Sequence, residues 1–433
     1  MRGYPKYQET GLDWLGKVPA HWSLGKLGAC FSERNEKVSD TEYPALSVTK
    51  NGIVPQMEHV AKTDAGDNRK KVCKNDFVIN SRSDRKGSAG VSEYEGSVSL
   101  ISTVLEPRFY LPEFAHHLFR SYNFQEEFYR FGKGIVADLW STRYAEMKNI
   151  VVPLVPLEEQ KSIANFLDRE TTRIDNLIAE KQTFINLLKE KRQALISHVV
   201  TKGLDPNVKM KDSGIEWIGD VPEHWEVTKL RYLGQCQNGI NIGGEFFGSG
   251  HPFVSYGDVY KNRVLPNEVK GLVQSSDSDQ KYYSVNEGDI FFTRTSETIE
   301  EIGFSSVCKS TIEHAVFAGF LIRFRPSTDR MSSDYAEYYF QNEKLRAFFV
   351  KEMNLVTRAS LSQELLKRMP VLVPPAEEQR EITGYLKLKT GGIELLISET
   401  EESIGLLKEH RTSVISSAVT GKIDVRNYKE EAA

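Results

Sequence analysis

Two stretches of this chain, 219 residues apart, carry the same pattern. Pro156-Leu157-Glu158-Glu159-Gln160 opens a long apolar and Lys-rich run that closes at Lys202-Gly203-Leu204-Asp205. Pro375-Ala376-Glu377-Glu378-Gln379 opens a second run, closing at Thr420-Gly421-Lys422-Ile423-Asp424. Gln160 maps onto Gln379 and Leu195 onto Val414, and both offsets are 219 (379 − 160 and 414 − 195). A spacing kept over that length means two copies of one long helix. Pro156 and Pro375 suit helix starts, and the paired glutamates after them favour the positive end of the helix dipole. Gly203 and Gly421 suit helix stops. Apolar residues at Ile163, Leu167, Ile174, Leu177, Phe184, Leu188 and Leu195 predict a heptad seam. Ile382, Leu386, Ile393, Leu396, Leu407 and Val414 repeat it. A helix of ~40 residues is ~60 Å long. It cannot bury its apolar face alone, so the two are expected to pair antiparallel.

A second repeat precedes each helix. Gly11-Leu12-Asp13-Trp14 through Val18-Pro19-Ala20-His21-Trp22 recurs as Gly214-Ile215-Glu216-Trp217 through Val221-Pro222-Glu223-His224-Trp225. Its offset is 203 (217 − 14), so the second intervening domain is about 16 residues longer than the first (219 − 203). The His and Trp read either as catalytic or base-stacking groups, or as a buried anchor where the chain enters each domain. Pro19 and Pro222 fix turns, and tryptophans suit burial there. No carboxylate or nucleophile stands at a spacing that suggests chemistry, which favours the anchor.

At 433 residues the chain exceeds one compact core, and two to four domains are expected. No apolar run approaches the ~20 residues of a membrane span, and the N-terminus lacks the apolar core of a signal peptide. The four cysteines are scattered without a CxxC pair, which fits a reducing cytoplasm and argues against structural zinc or disulfides. A net charge of −4 weighs against nucleic-acid binding, although a basic face can exist on a near-neutral chain.

Residues 1–155 contain short apolar runs broken by Gly, Pro, Asn and Asp, such as Asp76-Phe77-Val78-Ile79-Asn80, then an aromatic helical patch from about Glu113 to Phe131. That is a mixed, strand-rich fold. The loop Ser81-Arg82-Ser83-Asp84-Arg85-Lys86-Gly87-Ser88-Ala89-Gly90 follows a strand and joins basic and hydroxyl side chains to glycines. It can supply phosphate contacts and a guanine-reading Arg, and it reads equally well as a solvated loop. Gly288-Asp289-Ile290-Phe291-Phe292-Thr293-Arg294-Thr295-Ser296 repeats the theme in the second domain, and Phe253 to Val259 loosely parallels Ala45 to Asn51. Elsewhere the two domains diverge, as a repeated frame with two specificities would. Gly303-Phe304-Ser305-Ser306-Val307-Cys308-Lys309-Ser310 approaches a phosphate-binding loop, but Cys308 takes the place of the second glycine. No dinucleotide fingerprint, zinc-protease motif, nucleophile elbow or amino-methyltransferase tetrapeptide is present, and no catalytic or metal site is expected.

The two Val-Pro-x-His-Trp segments, the two Glu-Glu-Gln helix starts and Gly288–Arg294, in duplicated order, resemble the specificity subunit of a type I restriction–modification enzyme over essentially the whole chain. The resemblance implies an α+β fold with two mixed target recognition domains, an antiparallel coiled coil of two long helices, and an internal pseudo-twofold repeat. Its segments are a first recognition domain at 1–155, a helix at 156–203, a second recognition domain at 204–374, a helix at 375–422 and a tail at 423–433. Each recognition domain reads one half of a bipartite, asymmetric site on double-stranded DNA. Two modification (methyltransferase) subunits dock on the helices, and restriction/translocase subunits join them in the cytoplasm, with no membrane. S-adenosylmethionine and ATP with Mg belong to those partners, and this chain holds no cofactor. DNA contacts are expected at Arg82, Arg85, Lys86, Thr293, Arg294 and Ser296, with Lys50, Asn51 and Tyr256 behind them. A non-catalytic coiled-coil scaffold, or a subunit of a related enzyme type, is the alternative.

Overall fold

The computed structural model describes residues 2–56, 66–134, 140–296, 302–352, 359–426 and 428. Its longest elements are α1, Leu157–Lys202, and α2, Ala376–Val419, of 46 and 44 residues. Glu158 and Glu159 occupy the first turn of α1, and Glu377 and Glu378 that of α2, where the helix dipole favours carboxylates. Beyond the helix ends, Gly203 and Gly421 take left-handed backbone at φ 76° and 71°. Glycine adopts that conformation without a Cβ clash.

The chain divides into two compact units. Unit 1 is Met1–Gln182 with Glu402–Ala433, and unit 2 is Thr183–Glu401. Each unit therefore holds one globular portion with the start of one long helix and the end of the other. Pairing is antiparallel within each. In unit 1, Arg411 donates to both Asp175 carboxylate oxygens at 2.8 and 3.0 Å, and Val414 and Ala418 share a core with Ile163, Phe166 and Leu167. In unit 2, Ile196, Val199 and Val200 share a core with Ile382 and Leu386, and Arg192 meets Glu394 at 3.4 Å.

The seam departs from the expected heptads. Phe184 is 46% exposed, Leu396 lies on the exposed side, and Leu195 is only half-buried. Buried isoleucines recur every eleven residues instead, at 163, 174, 185 and 196 on α1 and at 382, 393 and 404 on α2, with half-buried Ile415 completing the second series. An eleven-residue repeat is about 3.67 residues per turn, close to an unstrained helix, whereas heptads require 3.5.

The sheets repeat where the sequences do not. Unit 1 has β1 Phe31–Glu33, β2 Phe77–Asn80, β3 Ala89–Val91 and β4 Ser102–Pro107, antiparallel in the order β3-β2-β4-β1. Unit 2 has β5 Gly234–Asn238, β6 Ile290–Thr293, β7 Ser305–Val307 and β8 Leu321–Pro326, in the matching order β7-β6-β8-β5. The aromatic patch forms two helices, Pro112–Arg120 and Tyr122–Arg130, split at Ser121, whose hydroxyl caps the second. Phe114, Phe119, Phe124 and Phe128 from this pair pack with Phe31 and Phe77 of the sheet. The Gly303–Ser310 stretch contains β7 rather than a phosphate loop: Ser305 to Val307 pair with Phe292 to Ile290.

The His-Trp repeats are anchors. Trp22 Nε1 donates to Glu159 Oε2 at 3.0 Å, His21 Nε2 lies 2.5 Å from Glu159 Oε1, and Tyr4 adds a third contact at 3.0 Å. Unit 2 builds the same joint, with Trp225 Nε1 2.9 Å and His224 Nε2 2.7 Å from Glu378 Oε2. The following glutamines tie each helix start to the adjacent globular portion. Gln160 bonds Leu111 N and Val155 O, while Gln379 bonds Ser332 N, Arg330 O and Pro374 O. The repeated motifs thus mark joints between domain and helix.

Candidate nucleic-acid interface

Two structures flank the sheet in unit 1. The hairpin Leu46–Thr49/Gly52–Pro55 pairs in register from Leu46↔Pro55 to Thr49↔Gly52, and the Ser81–Lys86 loop makes one 3-10 turn at Ser83–Arg85. Between them opens a cleft of about 410 Å³, lined by Leu46 to Thr49, Asn80, Arg82, Asp84, Arg85, Ser99 and Ser102 among others. Arg82 and Arg85 are exposed on it. Lys50 and Asn51 form the exposed hairpin tip. The tip is fastened by Arg120, which donates to Lys50 O at 2.6 Å and contacts His116 Nε2 at 2.5 Å. Burial, then the Arg120 charge, pushes the His116 imidazole down to about 3, so it is neutral beside that guanidinium. Lys86 points elsewhere: it pairs with Glu126 and lies 5.6 Å over the Tyr129 ring. Of the five expected unit 1 residues, Arg82 and Arg85 line the cleft, Lys50 and Asn51 stand on the hairpin tip held by Arg120, and Lys86 joins the helix Tyr122–Arg130 instead.

Sequence reasoning missed Arg69, which also lines this cleft although it is buried. It heads the strand Arg69–Val72, where three basic residues stand in a row and no periodicity marks which one turns inward.

Unit 2 carries a different surface on the same strands. In place of the first unit's hairpin turn, Ser255 caps a helix, Tyr256–Lys261, and closes a capping box with Asp258. The loose sequence parallel between Phe253–Val259 and Ala45–Asn51 extends to structure only at its start, where Ala45 pairs parallel with Ser97 and Phe253 with Val316. Tyr256 stacks on Tyr260 at 5.8 Å, and Tyr260 meets Phe304 at 5.1 Å. Tyr260 and Phe304 are both exposed and were not singled out from sequence. Thr293 is fully buried, and its Oγ1 accepts the Phe304 N–H at 2.9 Å. Its side chain is thus enclosed beside β7 and does not reach the surface, unlike the DNA contact expected there. Arg294 leaves the end of β6 half-buried, with Nη1 3.3 Å from Gly319 O and Nε buried without a partner. Ser296 continues the chain in a short strand paired with Ala359, and its side chain lies outside the described residues. Among the described residues no cluster of His, Cys, Asp and Glu is disposed to hold a metal ion, and no helix is long and apolar enough to cross a membrane.

Two units with one repeated strand order, each holding the start of one long helix and the end of the other, make a fold shared with solved structures. A chain from a structure titled for complex assembly and conformational transition of the type I R-M system superposes with a TM-score of 0.70 at 16% identity, covering 94% of this chain and 99% of that one. The HsdS subunit from Thermoanaerobacter tengcongensis gives 0.54 at 18% identity, covering 96% and 100%. Residues 222–400 match the Type I restriction modification DNA specificity domain. The EcoKI specificity subunit of Escherichia coli K12 is 25% identical over 82% of this chain and 76% of its own length. The MjaVIII specificity subunit of Methanocaldococcus jannaschii is 25% identical over 65% and 64%. Over most of its length the chain is thus similar to type I restriction enzyme specificity subunits.

Proposed function

We propose that this chain reads a bipartite, asymmetric DNA sequence, one half with each unit, for a type I restriction–modification complex acting in the cytoplasm. The observation that carries this reading is the contrast within the repeat. The strand order is the same in both units, while a hairpin and a basic cleft in one are replaced by a helix and an aromatic surface in the other. A frame that is kept while its contact surface changes suits two independent half-site readers. Arg82, Arg85, Lys50 and Asn51 face DNA in unit 1, and Arg294 and Tyr256 in unit 2.

Modification subunits dock on the long helices in this reading. Support comes from apolar side chains left outside the seam in unit 2: Leu388 is 74% and Leu395 60% exposed, one heptad apart on α2, and Phe184 and Leu187 are exposed on α1. Exposed apolar stripes of this kind mark contact surfaces. The partners supply S-adenosylmethionine and ATP chemistry, and this chain supplies sequence choice without catalysis of its own. The test is a genome-wide N6-methyladenine map of the host with and without the gene. Loss of one asymmetric bipartite motif on deletion is expected. An unchanged map in cells expressing the chain and its partners would overturn the reading.

A further inference from the structure

Arg69 sits in the floor of the unit 1 cleft with only 6% of its surface exposed. Its Nε donates to Ser97 Oγ at 2.9 Å and its Nη2 to Ser97 O at 3.1 Å. Ser97 Oγ in turn donates to Tyr43 O at 2.8 Å, so the hydroxyl proton is committed and the guanidinium is held in one orientation. Nη1 makes no hydrogen bond among the described residues and keeps solvent access. No carboxylate of the described residues lies within 4.0 Å of this guanidinium. Half-buried Arg34 of the same unit, by contrast, is paired with Asp76 at 2.8 Å. Burial pushes the Arg69 pKa down, and only the more distant Asp40 opposes it. An arginine nonetheless stays protonated in a protein, so the cleft floor holds a cation that has lost most of its water and, among the described residues, has no counter-ion in contact.

That arrangement is costly in the free protein and is relieved when an anion arrives. The rim adds Arg82 and Arg85 against one acid, Asp84, which lies 3.7 Å from Arg85 Nε. The shape selects the anion. Base edges lie recessed in a groove and are met by protruding elements, whereas phosphates form the ridges of the duplex and enter a concave site.

We propose that this cleft is a phosphate clamp, in which Arg69 from the floor and Arg82 and Arg85 from the rim enclose one backbone phosphate of the DNA. The clamp rests on the DNA-reading function above and adds a division of labour: the cleft sets register and affinity, and base choice is made elsewhere in the unit.

The test uses the full chain and a duplex bearing its methylation motif, with affinity measured over a salt series. Arg69→Gln is expected to weaken binding about tenfold at low salt and to reduce the salt slope by ~0.9, the value of one phosphate contact. Base preference at every position should be unchanged. Arg69→Lys should keep most of the slope. Neutralising DNA phosphates one at a time as methylphosphonates should reveal one position that weakens the wild type and is silent in Arg69→Gln. Thermal melting separates this role from bracing: removal of an uncompensated buried charge should leave the melting point of Arg69→Met equal or higher, with DNA affinity lost. An unchanged salt slope, or a lower melting point with unchanged affinity, would overturn the clamp. Relaxed preference at a single base pair would overturn it in favour of base reading. A wild-type chain that ignores the motif duplex would remove the underlying function as well.

Discussion

Gly421→Ala tests the joint that each long helix makes with the His-Trp segment. Gly421 has a φ of 71°, and a Cβ built there would stand 2.3 Å from Pro19 Cδ and 2.9 Å from Trp22 Cη2. Left-handed backbone costs a non-glycine residue about 1–2 kcal/mol. The contact with a rigid proline ring adds an overpacking cost of ~1–3 kcal/mol. The sum is roughly 2–5 kcal/mol, and each kcal/mol moves the melting midpoint of a domain of 150–250 residues by ~2–4 °C. A drop on the order of 10 °C is expected in differential scanning calorimetry. Gly11→Ala is the control: its φ is 66°, but a Cβ there meets nothing within 4 Å. It should lose only the backbone share. Equal shifts in the two variants would mean that Pro19 and Trp22 do not form a close-packed stop for the second helix, and the joint would have to be abandoned.

The other expectations concern single side chains. His116 is depressed from 6.5 to about 3 in the folded chain, so the unfolded chain binds more protons between those values and stability falls as pH drops through that window. Between pH 7 and 5 the loss is about 2 kcal/mol, and His116→Gln should remove most of that pH dependence in melting experiments. Thr293→Val should leave the Phe304 N–H without its acceptor and destabilise unit 2 by about 1–3 kcal/mol, with the methylated motif unaltered. Arg294→Ala should cost ~1–3 kcal/mol and relax preference at one base pair; a uniform loss over all sequences would show a backbone contact instead. Leu388→Lys with Leu395→Lys should abolish co-purification with the modification subunits while leaving the melting point of the free chain unchanged.

What the sequence disclosed was governed by local rules. Proline, paired glutamates and a terminal glycine mark each long helix because they act on the backbone and dipole of their own turn. The register of the seam was less legible. Phe184 and Ile185 are adjacent and both apolar, and only the facing surface determines that Ile185 turns inward. The candidate surface was partly legible. Arg82 and Arg85 stood out because they follow a strand and sit among glycines. Thr293 carried the same signature, but it ends a strand buried on both faces, where its hydroxyl accepts the Phe304 N–H. Arg69 gave no signal at all, since its burial depends on Ser97 and Tyr43, which lie 28 and 26 residues away in the chain.

The division of the long helices between the units bears on the order in which the chain can fold during synthesis. Unit 2 is one uninterrupted segment, Thr183–Glu401, whereas unit 1 is assembled from both ends of the sequence. Val414, Ala418, Val419 and Val425 belong to its core, and Asp424 N donates to Arg2 O at 2.9 Å. Once residue 401 has emerged from the ribosome the whole of unit 2 is free to fold, while unit 1 still waits for its last core side chains. A premature stop in α2 beyond Glu401 therefore strikes the unit whose synthesis begins first and spares the other, and a circular permutant opened between the units would reverse which one is kept waiting.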